Sequence, residues 1–193
     1  NTDKEATSGG ASGDRQKTIR EAFLPQLNLV TKWRPHSIVA EQYRVAATRL
    51  DLLDPGASNQ VVLITSAMKG EGKTSTSANI AYTLARDLDE PTLIIDCDFK
   101  CPNLDRVLGL RQAPGVAEYF SVANQLLEPC LQKIPDLPLW CMTVGDVGRY
   151  PVPLAKLQNL SSMLELMASR YRFIILDAPP VLPLADVNVL TGL

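Results

Sequence analysis

Histidine is almost missing from this chain: His36 is the only one in 193 residues. The four cysteines (Cys97, Cys101, Cys130 and Cys141) form no C-x-x-C pair. Together these scarcities argue against a histidine-containing zinc site and against a disulfide scaffold, so the thiols read as buried or reduced. Reduced thiols point to a cytosolic setting. Long hydrophobic runs are missing too. No apolar stretch approaches the roughly 20 residues that span a bilayer, and the opening NTDKEATSGGASGDRQK has no apolar core of a secretory signal. Nor is there an excess of positive charge. With 19 Lys and Arg against 21 Asp and Glu, the chain lacks a broad electrostatic footprint for nucleic acid, and no such partner is expected. What remains is a chain that is 46% hydrophobic, enough for a substantial core in one domain plus a tail.

The first 20 residues are rich in Ser, Gly, Thr and charge and read as a disordered leader. Residues 21–36, with Pro25 and Pro35, read as an extended arm in which Trp33 packs onto the domain or marks a partner surface. The nucleotide-binding domain is then 37–193. Its first element is a helix over 37–54, capped by Ser37, with Ile38, Tyr43, Ala46, Leu50 and Leu53 at helical spacing. Val61–Thr65 is a short run of β-formers, and Lys73 to about Asp87 is a helix. Thr92–Ile95 and Phe173–Leu176 are further apolar strands. A short helix near 116–127, a strand near 138–144 and an amphipathic helix over Leu154–Arg170 complete the reading. Continuous apolar strands alternating with helices predict an α/β fold, a mostly parallel sheet with helices on both faces.

The stretch Ala67-Met68-Lys69-Gly70-Glu71-Gly72-Lys73-Thr74 carries the chemistry. It matches the Walker A pattern from Gly72 onward, with Ala67 at the first glycine position. Gly70 and Gly72 let the backbone turn its N–H groups toward phosphate oxygens. The helix beginning near Lys73 adds its positive dipole end. Lys73 is expected to neutralise phosphate, and the Thr74 hydroxyl to ligate Mg²⁺. Two strands end in carboxylates, one in Asp96 and Asp98 and the other in Asp177. Ligands of open α/β sheets sit beyond the carboxyl ends of the strands, so all three share an edge with the phosphate loop. There they suit a hydrated Mg²⁺ and the orientation of a nucleophile attacking the γ-phosphate of ATP. Pro179-Pro180 is expected to stiffen the turn after Asp177.

In order, SAMKGEGKTSTSANIAYTLA, LIIDCDFKCPNLDRVLGL and YRFIILDAPPVLPLADVNVL resemble the bacterial tyrosine kinases of polysaccharide export, built on the deviant P-loop fold of the Min and Par ATPases. The resemblance covers the chain from about Ile38 onward. It implies nucleotide binding by Ala67, Met68, Lys69, Gly70, Glu71, Gly72, Lys73, Thr74 and Ser75. It also implies a metal held by Thr74, Asp98 and Asp177, and catalysis by Lys73, Asp96 and Asp98. Lys100 takes the basic position that follows the paired aspartates. Glu41 and Arg44 match two positions of the family's oligomerisation helix, but Ala47 stands where a second arginine belongs. The implied partners are a transmembrane polysaccharide chain-length regulator, which would recruit the chain to the inner face of the membrane, further copies of the chain, and a tyrosine substrate in cis or trans.

Met68 occupies the position at which Min- and Par-type ATPases carry a signature lysine, which favours the kinase branch. The tyrosine-rich tail of the kinases has no counterpart: Tyr43, Tyr82, Tyr119, Tyr150 and Tyr171 are scattered. Beyond Asp177 the family continues through another strand and helix, so the domain reads as incomplete at its C-terminus. An unpaired sheet edge is then expected to favour association. Three readings stay open at this point. They are an ATP-dependent tyrosine autokinase of exopolysaccharide synthesis, a Min/Par-like ATPase switch, and a non-catalytic nucleotide sensor.

Overall fold

Each apolar run becomes a strand in the computed structural model, which describes residues 28–152 and 160–182. Gln60–Ile64 (β1), Thr92–Asp96 (β2), Leu139–Met142 (β4) and Phe173–Asp177 (β5) lie parallel, and the short Gln132–Lys133 (β3) pairs antiparallel with β4. The sheet order is β1-β5-β2-β4-β3. β5 sits between β1 and β2, with Ile64 opposite Asp177 and Asp96 opposite Asp177. That register places the loop after β1 and the carboxylates ending β2 and β5 on one edge.

Strands β2 and β5 are buried along their whole length, as continuous apolar runs require. Alternate side chains feed two cores. Ile94, Cys141, Phe173 and Ile175 pack beneath helices Ile38–Leu53 (α2), Lys73–Asp87 (α3) and Leu104–Leu108 (α4). Leu93, Ile95, Ile174 and Leu176 pack beneath Val116–Ser121 (α5) and Leu160–Ala168 (α6). Helices cover both faces, as the sequence predicts. Each fully buried Leu or Ile contributes about 1.5–3 kcal/mol relative to exposure, so these layers set the position of the sheet edge firmly.

Several boundaries differ from expectation. The helix predicted over 116–127 ends at Ser121 and gives way to a turn and a 3₁₀ segment at Glu128–Cys130. The helix predicted over 154–170 is seen as Leu160–Ala168, with 153–159 outside the described residues, as is the predicted leader 1–20. The arm is not irregular throughout. Val30–Trp33 (α1) forms a turn of helix with Thr31 buried, and the preceding Leu29 is buried too, while Trp33 remains 51% exposed under Lys32. Leu29 and Thr31, rather than Trp33, pin this segment. Asn79 of α3 explains why. Its Oδ1 accepts from Thr31 N and Oγ1, both at 2.9 Å, and its Nδ2 donates to Asn28 O at 2.6 Å.

Ser37 caps α2 by accepting the Ala40 N–H at 3.1 Å. Arg44 is engaged within the chain: it pairs with Glu41 and Asp87 and donates to Pro35 O at 2.6 Å. Ala47 is fully buried in the core under α2, leaving no room for an arginine. All four cysteines are free, with Cys97, Cys130 and Cys141 buried and Cys101 exposed.

Candidate active site

The loop from β1 to α3 turns through two glycines with left-handed backbone, Gly70 at φ 89° and Gly72 at φ 90°. Side chains are strained there, which is why glycine recurs at these two positions. Gly72 is the N-cap of α3, and its carbonyl accepts the Thr76 N–H at 2.8 Å. Glu71 steadies the loop by accepting the Met68 N–H at 2.9 Å, and Ser66 donates to Met68 O at 2.8 Å. Backbone N–H groups at the start of a 15-residue helix, open above a glycine loop, make an anion site.

The segment after β5 locks this loop to Asp177. Ala178, Val181 and Leu182 donate to Ile64 O, Ser66 O and Ala67 O, and Thr65 Oγ1 donates to Pro179 O at 2.6 Å. The two prolines have no N–H of their own to satisfy, so they fit between these donors.

The three carboxylates have different environments. Asp98 Oδ2 lies 2.8 Å from Lys73 Nζ, with the two side chains only 3% and 8% exposed, and Asp98 Oδ1 accepts the Cys101 N–H at 3.0 Å. Asp96 accepts the Asp98 N–H at 3.0 Å and the Leu104 N–H at 3.2 Å, one on each oxygen. Burial pushes Asp96 up to about 7, helped by the charge of Asp177 and opposed by those two N–H bonds. Burial likewise pushes Asp177 up to about 6, opposed by the hydroxyls of Thr74 and Ser77 and by Lys73. Ser77 Oγ is 3.1 Å from Asp177 Oδ1, while Asp177 Oδ2 is buried without a hydrogen-bond partner.

That orphaned oxygen, on the carboxylate that the Thr74 hydroxyl also approaches, tests whether Mg²⁺ fits. Mg²⁺ takes hard oxygen ligands and keeps much of its water and phosphate shell. One carboxylate oxygen left open beside one hydroxyl matches that need. Among the described residues, no cluster of three or more His, Cys, Asp or Glu could hold a metal by itself.

A cavity of about 470 Å³ opens over the loop, lined on one side by Lys69, Gly70, Gly72 and Lys73, and on the other by Cys101, Pro102, Asn103 and Arg106. The structure brings Lys73, Thr74, Asp98 and Asp177 together. Asp96 stands one layer behind, holding the loop that carries Asp98. Glu41 and Arg44 lie apart on α2, and Lys100 is an exposed neighbour of Asp98 outside the cavity lining. Ser77 and Arg106 went unread. Ser77 had a signal, being one helical turn beyond Lys73 on the same face, whereas nothing in the sequence placed Arg106.

A glycine loop at a helix start, a paired lysine and strand-end carboxylates define a P-loop nucleotide-binding domain. Residues 62–175 match the CobQ/CobB/MinD/ParA nucleotide binding domain. The chain is 31% identical over 171 residues to tyrosine-protein kinase CpsD of Streptococcus pneumoniae serotype 4, spanning 87% of this chain and 73% of that protein. The chain therefore belongs to the CobQ/CobB/MinD/ParA nucleotide-binding family and, within it, to the bacterial tyrosine-protein kinases. The crystal structure of the VpsO kinase domain superposes with a TM-score of 0.66 at 29% identity, covering 92% of this chain and 78% of that one. MinD of Pyrococcus horikoshii, solved with Mg-ADP, shares the fold at a TM-score of 0.58 and 21% identity, over 69% of this chain and 54% of that one.

Proposed function

We propose that this chain transfers the γ-phosphoryl group of ATP to a tyrosine hydroxyl, with Mg²⁺, in the control of exopolysaccharide synthesis. The observation that carries the reading is the buried 2.8 Å contact between Lys73 and Asp98. It supports reading Lys73 as the phosphate-neutralising cation and Asp98 as the base, since the two form one pair beside the P-loop. Phosphates entering the loop compete for Lys73. As Lys73 turns to them, the Asp98 oxygen it held is left open to accept a hydrogen bond from the tyrosine hydroxyl. The tyrosine oxygen then attacks the γ-phosphorus in line, its proton passes to Asp98, and the bond to the β-phosphate oxygen breaks to leave ADP. The loop N–H groups and Lys73 hold the charge that gathers on the phosphoryl oxygens. Asp96 keeps Asp98 in place.

Thr74 and Asp177 would hold Mg²⁺. When bound, the metal supplies charge neutralisation across the β- and γ-phosphates. ATP is preferred to GTP on the strength of the kinase relatives. The proposed activator is the cytoplasmic tail of a transmembrane chain-length regulator, which would bring the chain to the inner face of the membrane. Acceptor tyrosines belong to this chain, to another copy or to a partner.

The test is Mg-ATP incubation of wild type and Lys73→Met, with and without such a tail, read by phosphotyrosine blot and by phosphate release. Phosphotyrosine is expected in wild type and absent from Lys73→Met. Lys73-dependent phosphate release with no phosphotyrosine would sink the kinase chemistry in favour of an ATPase.

A further inference from the structure

The cavity has a second wall that phosphate binding does not use. Residues 101–106 follow directly from Asp98, and both carboxylates of that strand end fix them. Cys101 N–H bonds to Asp98, and Leu104 N–H bonds to Asp96. Leu104 and Val107 of α4 turn into the core, so Arg106 turns outward and lines the cavity. Arg106 is exposed and makes no ion pair among the described residues. Across the mouth, Lys69 is also exposed, and its ammonium reaches toward the Cys101 thiol. The cations at the rim are thus separate from Lys73, which lies deeper with Asp98.

Position decides what Arg106 faces. The wall follows the candidate base in the chain and is held to it by the Cys101 N–H, and the Lys73 that pairs with Asp98 lines the same cavity. A tyrosine entering between the loop and this wall therefore brings its hydroxyl toward that pair and its flanking residues past Arg106 and Lys69. We propose that Arg106, with Lys69, forms an acceptor subsite that selects tyrosines flanked by acidic residues. The guanidinium fork suits a carboxylate in two-point contact, which a lysine at the same place would match only in charge. This inference rests on the kinase reading and names its substrate class.

The test measures peptide binding, so it does not depend on turnover. The full chain loaded with Mg-ADP is titrated into a fluorescent peptide with tyrosine flanked by glutamates, and into the same peptide with glutamines. Wild type is expected to bind the glutamate peptide more tightly by at least about threefold, the scale of exposed charge pairs. The preference should shrink as salt rises. It should vanish in Arg106→Glu and be partly restored in Arg106→Lys, with Mg-ADP affinity retained in both. Equal binding of the two peptides by wild type, no measurable binding of either, or a preference that survives Arg106→Glu would overturn the subsite. So would a loss of Mg-ADP affinity in Arg106→Lys and Arg106→Glu alike, which would make Arg106 a nucleotide contact. None of these results touches Lys73-dependent phosphotyrosine formation, whose absence would instead defeat the kinase reading.

Discussion

At the scale of single residues, the site separates its carboxylates by environment more than by identity. Asp98 is matched by Lys73, Asp96 by two backbone N–H groups, and Asp177 by the Ser77 hydroxyl on one oxygen, the other being unpartnered. Asp177→Asn keeps an acceptor for Ser77 and removes a charge that burial opposes. Its thermal midpoint without metal should match or exceed that of wild type. Its Mg²⁺-dependent phosphotransfer should fall at least tenfold, which is about 1.4 kcal/mol of barrier. Unfolding of this variant would instead show that the charge itself is structural. All three aspartates were legible in the sequence, because Asp96 and Asp177 end apolar strands and Asp98 follows two residues beyond the first. Their division of labour was not, because it depends on which N–H or hydroxyl reaches each oxygen.

At the scale of elements, α3 joins the site to the arm. Its first turn presents Thr74 and Ser75 to the cavity, and one turn later Asn79 bonds Thr31, Asn28 and its own Ser75 carbonyl. Arg86 adds a contact to the Thr31 carbonyl. Replacing Asn79 by Ala leaves buried donors and acceptors of the arm unpartnered, and each such group costs about 1–3 kcal/mol. Asn79→Ala should therefore lower the urea midpoint, with a loss of about 3 kcal/mol, and amide exchange over 28–34 should quicken. An unchanged midpoint with protected amides would mean that Leu29 alone holds the arm. The arm's docking escaped the sequence reading because Asn28 and Thr31 lie about 50 positions from Asn79 and share no period with it.

The whole molecule gathers three buried or nearly buried carboxylates at one sheet edge, and that has a thermodynamic consequence. In the nucleotide- and metal-free protein, Asp96 at about 7 and Asp177 at about 6 both lie above the ordinary value of 3.8. Folding therefore favours their protonated forms. The stability they permit is complete below the unfolded value and is lost as pH climbs through 6 and 7. Asp87, held low by Arg86, works the opposite way, but its contribution is already complete by about pH 5. The thermal midpoint of the apo protein should thus fall between about pH 5 and pH 8, and added Mg-nucleotide should stabilise it most at the upper end. A midpoint that rises over that interval would refute this account of the cluster.

The sequence by itself determined the α/β class, the strands β1, β2, β4 and β5, the phosphate loop and the family. Those features are local: apolar runs bounded by turns, two glycines before a lysine, and aspartates at strand ends. Only the tertiary structure decided the rest. It inserted β5 between β1 and β2, which sets Asp177 beside Ser77 and across from Asp96. It folded Lys73 onto Asp98, buried Ala47, docked Leu29 and Thr31 in place of Trp33, and turned Arg106 toward the cavity. Each of these rests on contacts between residues far apart in the chain or on the direction a side chain takes, and neither leaves a period in the sequence.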